Sequence, residues 1–429
     1  MIFHFLKRGK KEDFLVLDIG TETVKALIFE KIGEKNTLLT ASLEYFDDFD
    51  LFDNKNFEVE IIKKTISRAI QNLKVKELPG NVFLGLPAII LKGKILFQSF
   101  RREKRKEPIN NKEAESIFQE VFKKTKRIIS QQVTEESGIL PKEIHFISLK
   151  TLEIKIDGYE IPTLQGYNGE NLVFRILIIF ILKNHLENIE RIARAFNFKN
   201  FKILHLAEGL SKIQLPTSEN SIFLDIGGKT TQIFLIKDSK LERIKEFEVG
   251  GKDFSRALSQ TLGLREKEGR ELKERYSKKL LSIETKNRIS EIFVKHQKEW
   301  YKNLKESIKE ISLKGLLPSI FFLFGGGSLL PEIQEILDYN PPTASEVPAE
   351  GRRVEGRSES HSSLRSEWAP EGDWENLRFL NQPEIKFICP KVFYPHFRHK
   401  EEKLDFILDF VLSNPQYTSS FLIYAGKDF

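Results

Sequence analysis

Phe14-Leu-Val-Leu-Asp-Ile-Gly-Thr-Glu-Thr-Val-Lys25 reads as an apolar strand, an Asp-Ile-Gly corner, a polar turn and a second apolar strand. The same order returns far down the chain in Ser221-Ile-Phe-Leu-Asp-Ile-Gly-Gly-Lys-Thr-Thr-Gln232. Each stretch is expected to form a β-hairpin with an acid at its mouth. Gly20, Gly227 and Gly228 let the backbone turn tightly and bring N–H groups toward a ligand. Thr21, Thr23, Thr230 and Thr231 add hydroxyls around Glu22, and Lys25 and Lys229 add positive charge. Two facing hairpins would offer a polyphosphate donors from two sides. Asp18 and Asp225 could then hold a hydrated Mg²⁺ between them, because that ion keeps its waters and needs few direct ligands.

A third element, Phe321-Phe-Leu-Phe-Gly-Gly-Gly-Ser-Leu-Leu-Pro-Glu-Ile333, reads as a buried strand ending in three glycines at the start of a helix. Gly325, Gly326 and Gly327, followed by Ser328 and Leu329, would admit a flat adenine and its ribose, and a helix N-terminus favours phosphate.

The rest of the chain sets bounds on these readings. Its 429 residues suggest two or three domains at roughly 150 residues each, and 40% hydrophobic with 30% charged residues is a globular balance. No stretch approaches the ~20 apolar residues of a membrane span; Leu172–Leu182, which contains Arg175, reads instead as a buried central strand. The net charge of +6 is too mild and dispersed for a nucleic-acid binder. One cysteine, Cys389, excludes an internal disulfide or a cysteine metal cluster and suits a reducing cytoplasm. The eight histidines lack ligand spacing.

Residues 341–378 contain no Lys, Ile or Phe and are rich in Pro, Gly, Ser, Glu and Arg, so a disordered insertion is expected there, with Trp368 and Trp374 as a candidate docking peptide. The N-terminal residues 2–11 place Ile2, Phe3, Phe5 and Leu6 before Lys7, Arg8, Lys10 and Lys11, an order suited to an anionic membrane surface. From Ala88 to Thr163 the chain alternates a strand, the basic run Arg101–Lys106, a helix from about Asn111 to Gln132, and two strands near 144–148 and 151–156, which together make a compact α+β unit. The basic run and the Lys123–Arg127 cluster are candidates for docking an acidic partner, a second subunit or anionic lipid.

Two Asp-x-Gly hairpins and a GGGSLLPEI turn, in this order and spacing, resemble the actin-like ATPase superfamily. The resemblance implies an α/β, two-lobed (ribonuclease H-like) fold closing on ATP and Mg²⁺, with the three motifs as its phosphate-1, phosphate-2 and adenosine elements. It makes Glu208, in His205-Leu-Ala-Glu-Gly-Leu210, the residue expected to orient the attacking water, with Asp18 and Asp225 as its catalytic companions. Within the superfamily the chain looks most like the FtsA family of bacterial cell-division adaptors. There the unit at 85–165 matches the inserted 1C subdomain, Gly251 matches a glycine pair that opens a helix, and Lys273 matches a lysine that approaches the ribose. The implied division is a basic arm at 1–13, lobe 1 at 14–84 and 166–212, and lobe 2 at 213–245 and 319–400. A helical 2B-like unit covers 246–318, and a C-terminal helix within 401–429 returns to lobe 1.

The resemblance implies a cytoplasmic adaptor at the inner face of the membrane. It would bind ATP, associate with itself through the 1C unit and hold the C-terminal peptide of FtsZ. The PilM family of type IV pilus machines is the alternative; its partner is the short tail of a PilN-type membrane protein. Small-molecule kinases share the fold, but no specific signal for a catalytic carboxylate in a substrate pocket is present. Three positions depart from the family pattern. Lys229 stands where many relatives have Gly, and Gln232 where many have Asp, so weak or absent hydrolysis is expected; Arg270 stands where an acidic residue is often found. The chain also shows no C-terminal amphipathic helix of the FtsA type.

Overall fold

The computed structural model describes residues 10–33, 35–53, 57–212, 220–312, 316–337, 384–387, 411 and 414–428. The expected insertion at 341–378, both of its tryptophans and residues 1–9 of the N-terminal arm lie outside the described residues.

The first hairpin forms as its alternation and glycine corner dictate. Strand β1 (Lys11–Ile19) pairs antiparallel with β2 (Thr23–Ile32), which pairs with β3 (Lys35–Tyr45). Helix α1 (Val59–Asn72) buries Ile62, Ile66 and Ala69 against this meander and returns the chain to β4 (Asn81–Gly85), parallel to β1.

The inserted unit comprises β5 (Leu91–Arg101), α2 (Asn111–Ser137), β6 (Ile144–Ile156), β7 (Tyr159–Ile161) and β8 (Asn171–Leu182), in the sheet order β5-β8-β6-β7. The two short strands expected at 144–156 are one strand, whose register shifts at Phe146/Ser148 and Thr151/Glu153 interrupt the alternation. Helix α2 outlasts its expected end at Gln132 because Thr134 and Ser137 bond back to Ser130 and Val133, and Gly138, at φ 71°, closes it. The apolar run read as a central strand is one, but it is central to this small sheet: β8 bonds to β5 and β6, so residues 171–182 belong with the inserted unit rather than with lobe 1. Helix α3 (Lys183–Ala195), β9 (Asn200–Ile203) and the short α4 (Leu206–Leu210) then complete the first sheet, ordered β3-β2-β1-β4-β9.

The second lobe repeats that plan. Strands β10 (Ser221–Ile226), β11 (Thr231–Lys237) and β12 (Lys240–Phe247) form a meander. Helices α5 (Gly251–Leu262), α6 (Glu266–Ser277) and α7 (Ile283–Ser312) pack on one side around Phe254, Phe293 and Trp300. Strand β13 (Ile320–Phe324) then runs parallel to β10, α8 (Pro331–Leu337) follows, and β14 (Glu384–Phe387) closes the order β12-β11-β10-β13-β14. The repeat seen in sequence is thus a repeat of topology, with Asp18 and Asp225 at matching strand ends.

Helix α9 (Thr418–Ala425) is buried in lobe 1, with Tyr424 stacked on Phe29 at 4.1 Å between ring centroids and Phe421 edge-on to the same ring at 5.1 Å. It passes so close to β4 and α4 that a Cβ on Gly85 would lie 1.9 Å from Ile423 Cδ1, and one on Gly209 would lie 2.0 Å from the Leu422 carbonyl oxygen.

A cleft between two matching hairpins

Both glycine corners adopt the same local geometry. The Gly20 amide donates to the Thr23 carbonyl at 2.8 Å, and the Gly227 amide to the Thr230 carbonyl at 2.9 Å. These two N–H groups close their own turns, which corrects the expectation that they face a ligand. The second turn is pinned further, because the Gly227 and Gly228 carbonyls accept from the amides of Gly251 (2.9 Å) and Lys252 (2.7 Å) at the start of α5.

The turns meet across the lobes. The Lys229 amide donates to Thr21 Oγ1 at 3.0 Å, and a Cβ on Gly228 would stand 2.6 Å from that same oxygen, so only glycine allows this approach. The cleft above the junction is lined by Asp18, Gly20, Thr21, Glu22, Thr23 and Lys25 from lobe 1. Lobe 2 contributes Asp225, Gly227, Gly228, Thr230, Lys273, Gly325, Gly326 and Leu329. Sequence reasoning missed Tyr45, Glu274, Gln416 and Ser419 among its walls, and named His205 and Gln232 without placing their side chains there. Most of these come from strand ends, turns or the distant C-terminus, and only the Asn-Pro turn before Gln416 left a sequence signal.

At the base of the cleft, Asp18 Oδ2 accepts from Lys25 Nζ (3.0 Å), Ser419 Oγ (2.6 Å) and Ser420 Oγ (2.9 Å). Burial pushes the Asp18 carboxyl up, but the Lys25 charge and the hydroxyl bonds outweigh it and hold the group below its ordinary value. Asp225 has the opposite balance. Burial raises it to about 7, with the Asp18 charge adding to the rise and Lys25 opposing it. Among the described residues no group of three or more His, Cys, Asp or Glu is placed to hold a metal. Lys25 Nζ, 3.0 Å from Asp18 Oδ2, places a positive charge beside one of the two acids expected to flank a hydrated Mg²⁺.

On the lobe 2 wall, Lys273 Nζ donates to the Gly251 carbonyl at 2.9 Å and to Glu22 Oε2 at 3.4 Å. The other Glu22 oxygen, Oε1, is buried and has no partner among the described residues. Gly325, at φ 85°, brings β13 within reach of Asp225: a Cβ there would meet Asp225 Oδ1 at 2.5 Å. Residues Gly326–Leu329 form a single 3-10 turn rather than the first turn of a helix, and α8 begins only at Pro331.

Several expected site residues have other work. Glu208 is buried and does not line the cleft; its carboxylate accepts from the His205 amide (2.8 Å) and Ser148 Oγ (3.2 Å), capping α4 and tying it to β6. Burial raises its proton affinity against those bonds. A carboxylate fixed in a helix cap is not disposed to orient water at Asp18, which corrects the role expected for it. Thr231 Oγ1 bonds to the Val249 carbonyl and Trp300 Nε1 inside lobe 2. Gly327 packs on Ile226, Ser328 Oγ bonds to the Gly325 carbonyl, and Lys229 Nζ reaches the Phe52 carbonyl at 2.9 Å. His205, lowered to about 3 by burial and by the Lys92 charge, stays neutral; its Nε2 faces Gln232 Nε2 at 3.3 Å.

No protein-family model matches this chain, and no curated protein matches it. Among solved structures it is similar to a PilM-PilN type IV pilus biogenesis complex at 13% identity, covering 96% of this chain and 98% of that one with a TM-score of 0.61. It is more remotely similar to MreB5 of Spiroplasma citri bound to ADP, at 12% identity over 76% of this chain and 88% of that one, TM-score 0.39. Ethanolamine utilization protein EutJ from Carboxydothermus hydrogenoformans follows at 12% identity over 73% and 76%, TM-score 0.36. The fold is that of the two-lobed actin-like ATPases, as the hairpin motifs implied.

Proposed function

We propose that this chain is an ATP-binding adaptor of the PilM kind, whose cleft senses nucleotide and whose surface holds the tail of a membrane protein. The observation that carries the nucleotide reading is the facing pair of Asp-x-Gly hairpins, with Lys25 at their base and Lys273 and the orphaned Glu22 Oε1 on the wall. Lys25 would meet the terminal phosphates, Glu22 Oε1 would accept from a ribose hydroxyl, and Gly325 and Gly326 would give the base its flat approach. Magnesium, when present, arrives on the phosphates and adds charge neutralisation there. With Glu208 engaged in a cap, nucleotide occupancy rather than turnover is the signal.

A PilN-type tail is preferred over the FtsZ peptide because the likeness to the PilM-PilN complex extends over nearly all of both chains. The test has two arms. ATP at 100 times its dissociation constant should stabilise the protein by about 2.7 kcal/mol. That shift should survive EDTA in reduced form and vanish in Gly326→Val and Lys25→Ala; equal shifts in wild type and both variants reject the site. In a pull-down, a PilN-type N-terminal peptide should be retained and an FtsZ C-terminal peptide should not. The reverse result returns the chain to the cell-division reading.

A further inference from the structure

Two of the positions at which the chain departs from its family's pattern, Lys229 and Arg270, reach the same segment of lobe 1. That segment is the loop after β3, Tyr-Phe-Asp-Asp-Phe-Asp-Leu-Phe-Asp over Tyr45–Asp53. Lys229 Nζ donates to the Phe52 carbonyl at 2.9 Å, and Arg270 Nη1 to the Phe46 carbonyl at 3.0 Å. The Arg270 guanidinium also lies 4.8 Å from the Tyr45 ring centroid and 6.0 Å from that of Phe49. Lys252 Nζ sits 4.6 Å over the Phe49 ring and 3.9 Å from Asp50, while Arg256 Nη2 donates to both Asp50 oxygens at 2.9 and 3.0 Å. Four cations of lobe 2 therefore grip one acidic, aromatic loop of lobe 1.

The loop is also built into the cleft. The Phe46 amide donates to the Glu22 carbonyl at 3.0 Å, and Tyr45 lines the cleft together with Glu274 and Gln416. Phe46, Phe49 and Phe52 are buried beneath it, as are Lys252 and Arg270. We propose that Tyr45–Asp53 is a strap holding the two lobes together over the nucleotide, and that its release sets the rate at which nucleotide leaves.

The chemistry suits a device that opens and recloses. Guanidinium and ammonium groups held by ring faces and backbone carbonyls give up their partners to water more readily than an aliphatic seam would. The junction of the inserted unit with lobe 2 is braced differently. There the fully buried Arg175 of β8 binds Glu242 of β12 at 2.8 Å, and Lys240 binds Glu153 at 2.5 Å, joining the inserted unit to lobe 2. Opening is therefore expected on the strap side. Lys229 and Arg270 thereby gain a role as positioning residues that the phosphate-binding pattern does not require of them.

The inference rests on the nucleotide-binding reading, and its test separates the two. Release of the fluorescent analogue mant-ATP, chased with excess ATP, is followed by stopped flow in wild type, Arg270→Ala, Arg256→Asp and the charge swap Asp50→Arg with Arg256→Asp. Hydrogen exchange of the amides between 46 and 53 is measured on the same nucleotide-free proteins. Arg270→Ala should speed release by about tenfold or more, as expected when a closing segment limits product or ligand escape. Arg256→Asp should speed it less, the swap should restore the wild-type rate, and strap amides should exchange faster in each single variant. Faster exchange with unchanged release overturns the strap's role, as does unchanged exchange. Failure of the wild type to bind mant-ATP overturns the nucleotide reading and the release role with it. Should Arg270→Ala fail to fold, Arg256→Asp and its swap still decide the question.

Discussion

Asp18 and Asp225 occupy equivalent places in two copies of one motif, yet they titrate in opposite senses. Three donors converge on Asp18, two of them from α9, whereas Asp225 lies half-buried near the Asp18 charge with only Lys25 in its favour. The sign of each linkage follows. Asp18, held below its ordinary value, stabilises the fold above that value, and this contribution is lost as pH falls through the lowered folded one. Asp225, raised from 3.8 to about 7, favours the fold most below pH 3.8, and that advantage fades as pH rises toward 7. Asp225→Asn, which mimics the neutral acid, should therefore leave stability near pH 4 unchanged. Above pH 7 it should raise stability by about 2 kcal/mol, less than about 1.4 kcal/mol per pKa unit would give because the carboxyl opens on the cleft. Denaturant titrations at pH 4.5 and 8 check this, and a gain equal at both would contradict it. Both aspartates were legible in sequence. Their opposed titration was not, because Ser419 and Ser420 arrive from the far end of the chain.

At the scale of elements, α9 and α4 decide what the site can do. Helix α9 brings the serines to Asp18, and it fits because Gly209 of α4 leaves room for the Leu422 carbonyl. Gly209→Ala would gain helix propensity but drive its Cβ to 2.0 Å from that backbone oxygen, which cannot rotate away. The net cost should be about 3 kcal/mol, read as a lower urea midpoint, together with a loss of the ATP shift as the serines withdraw. A neutral or stabilising result would mean α9 does not sit this close. The same helix pair explains why the sequence misplaced Glu208. The HLAEGL segment forms a short helix, and its first residues, His205 and Leu206, line the cleft, but a glutamate three residues after an N-cap also satisfies a capping box, and here that local bond wins.

At the scale of the whole molecule, the inserted unit ties the lobes together as well as extending lobe 1. Arg175 lies between Glu153 and Glu242, and Lys240 bridges Glu153 and Glu160, so β6, β7 and β8 are linked electrostatically to β12. Arg175→Ala would take from Glu242 its partner, while Glu153 keeps Lys240 and Lys155, and should cost about 3 kcal/mol in charge pairing and packing together, whereas Arg175→Met, which keeps the bulk, loses only the charge pairing. Calorimetry should show the alanine variant melting well below the methionine one; equal melting would assign the brace to charge alone, with no share from packing. The basic run beside it is partly structural. Arg102 is buried against Glu113, and Arg101 and Arg105 both pair with Glu170, which leaves less of that charge for a partner than the sequence suggests.

The amino-acid sequence by itself determined the two hairpins, their acids and glycines, the third glycine turn and the presence of an inserted α+β unit. These follow from local rules, namely alternation, the tight turns that glycine permits and the grouping of strands with a helix. Only the tertiary structure decided which groups those acids face. The partners of Asp18, the cap that occupies Glu208, the sheet to which β8 belongs and the loop that meets Lys229 and Arg270 all join residues far apart in the chain. Such pairings are chosen by packing and by the need of each buried charge for a counterpart, and neither is written in any short stretch of sequence.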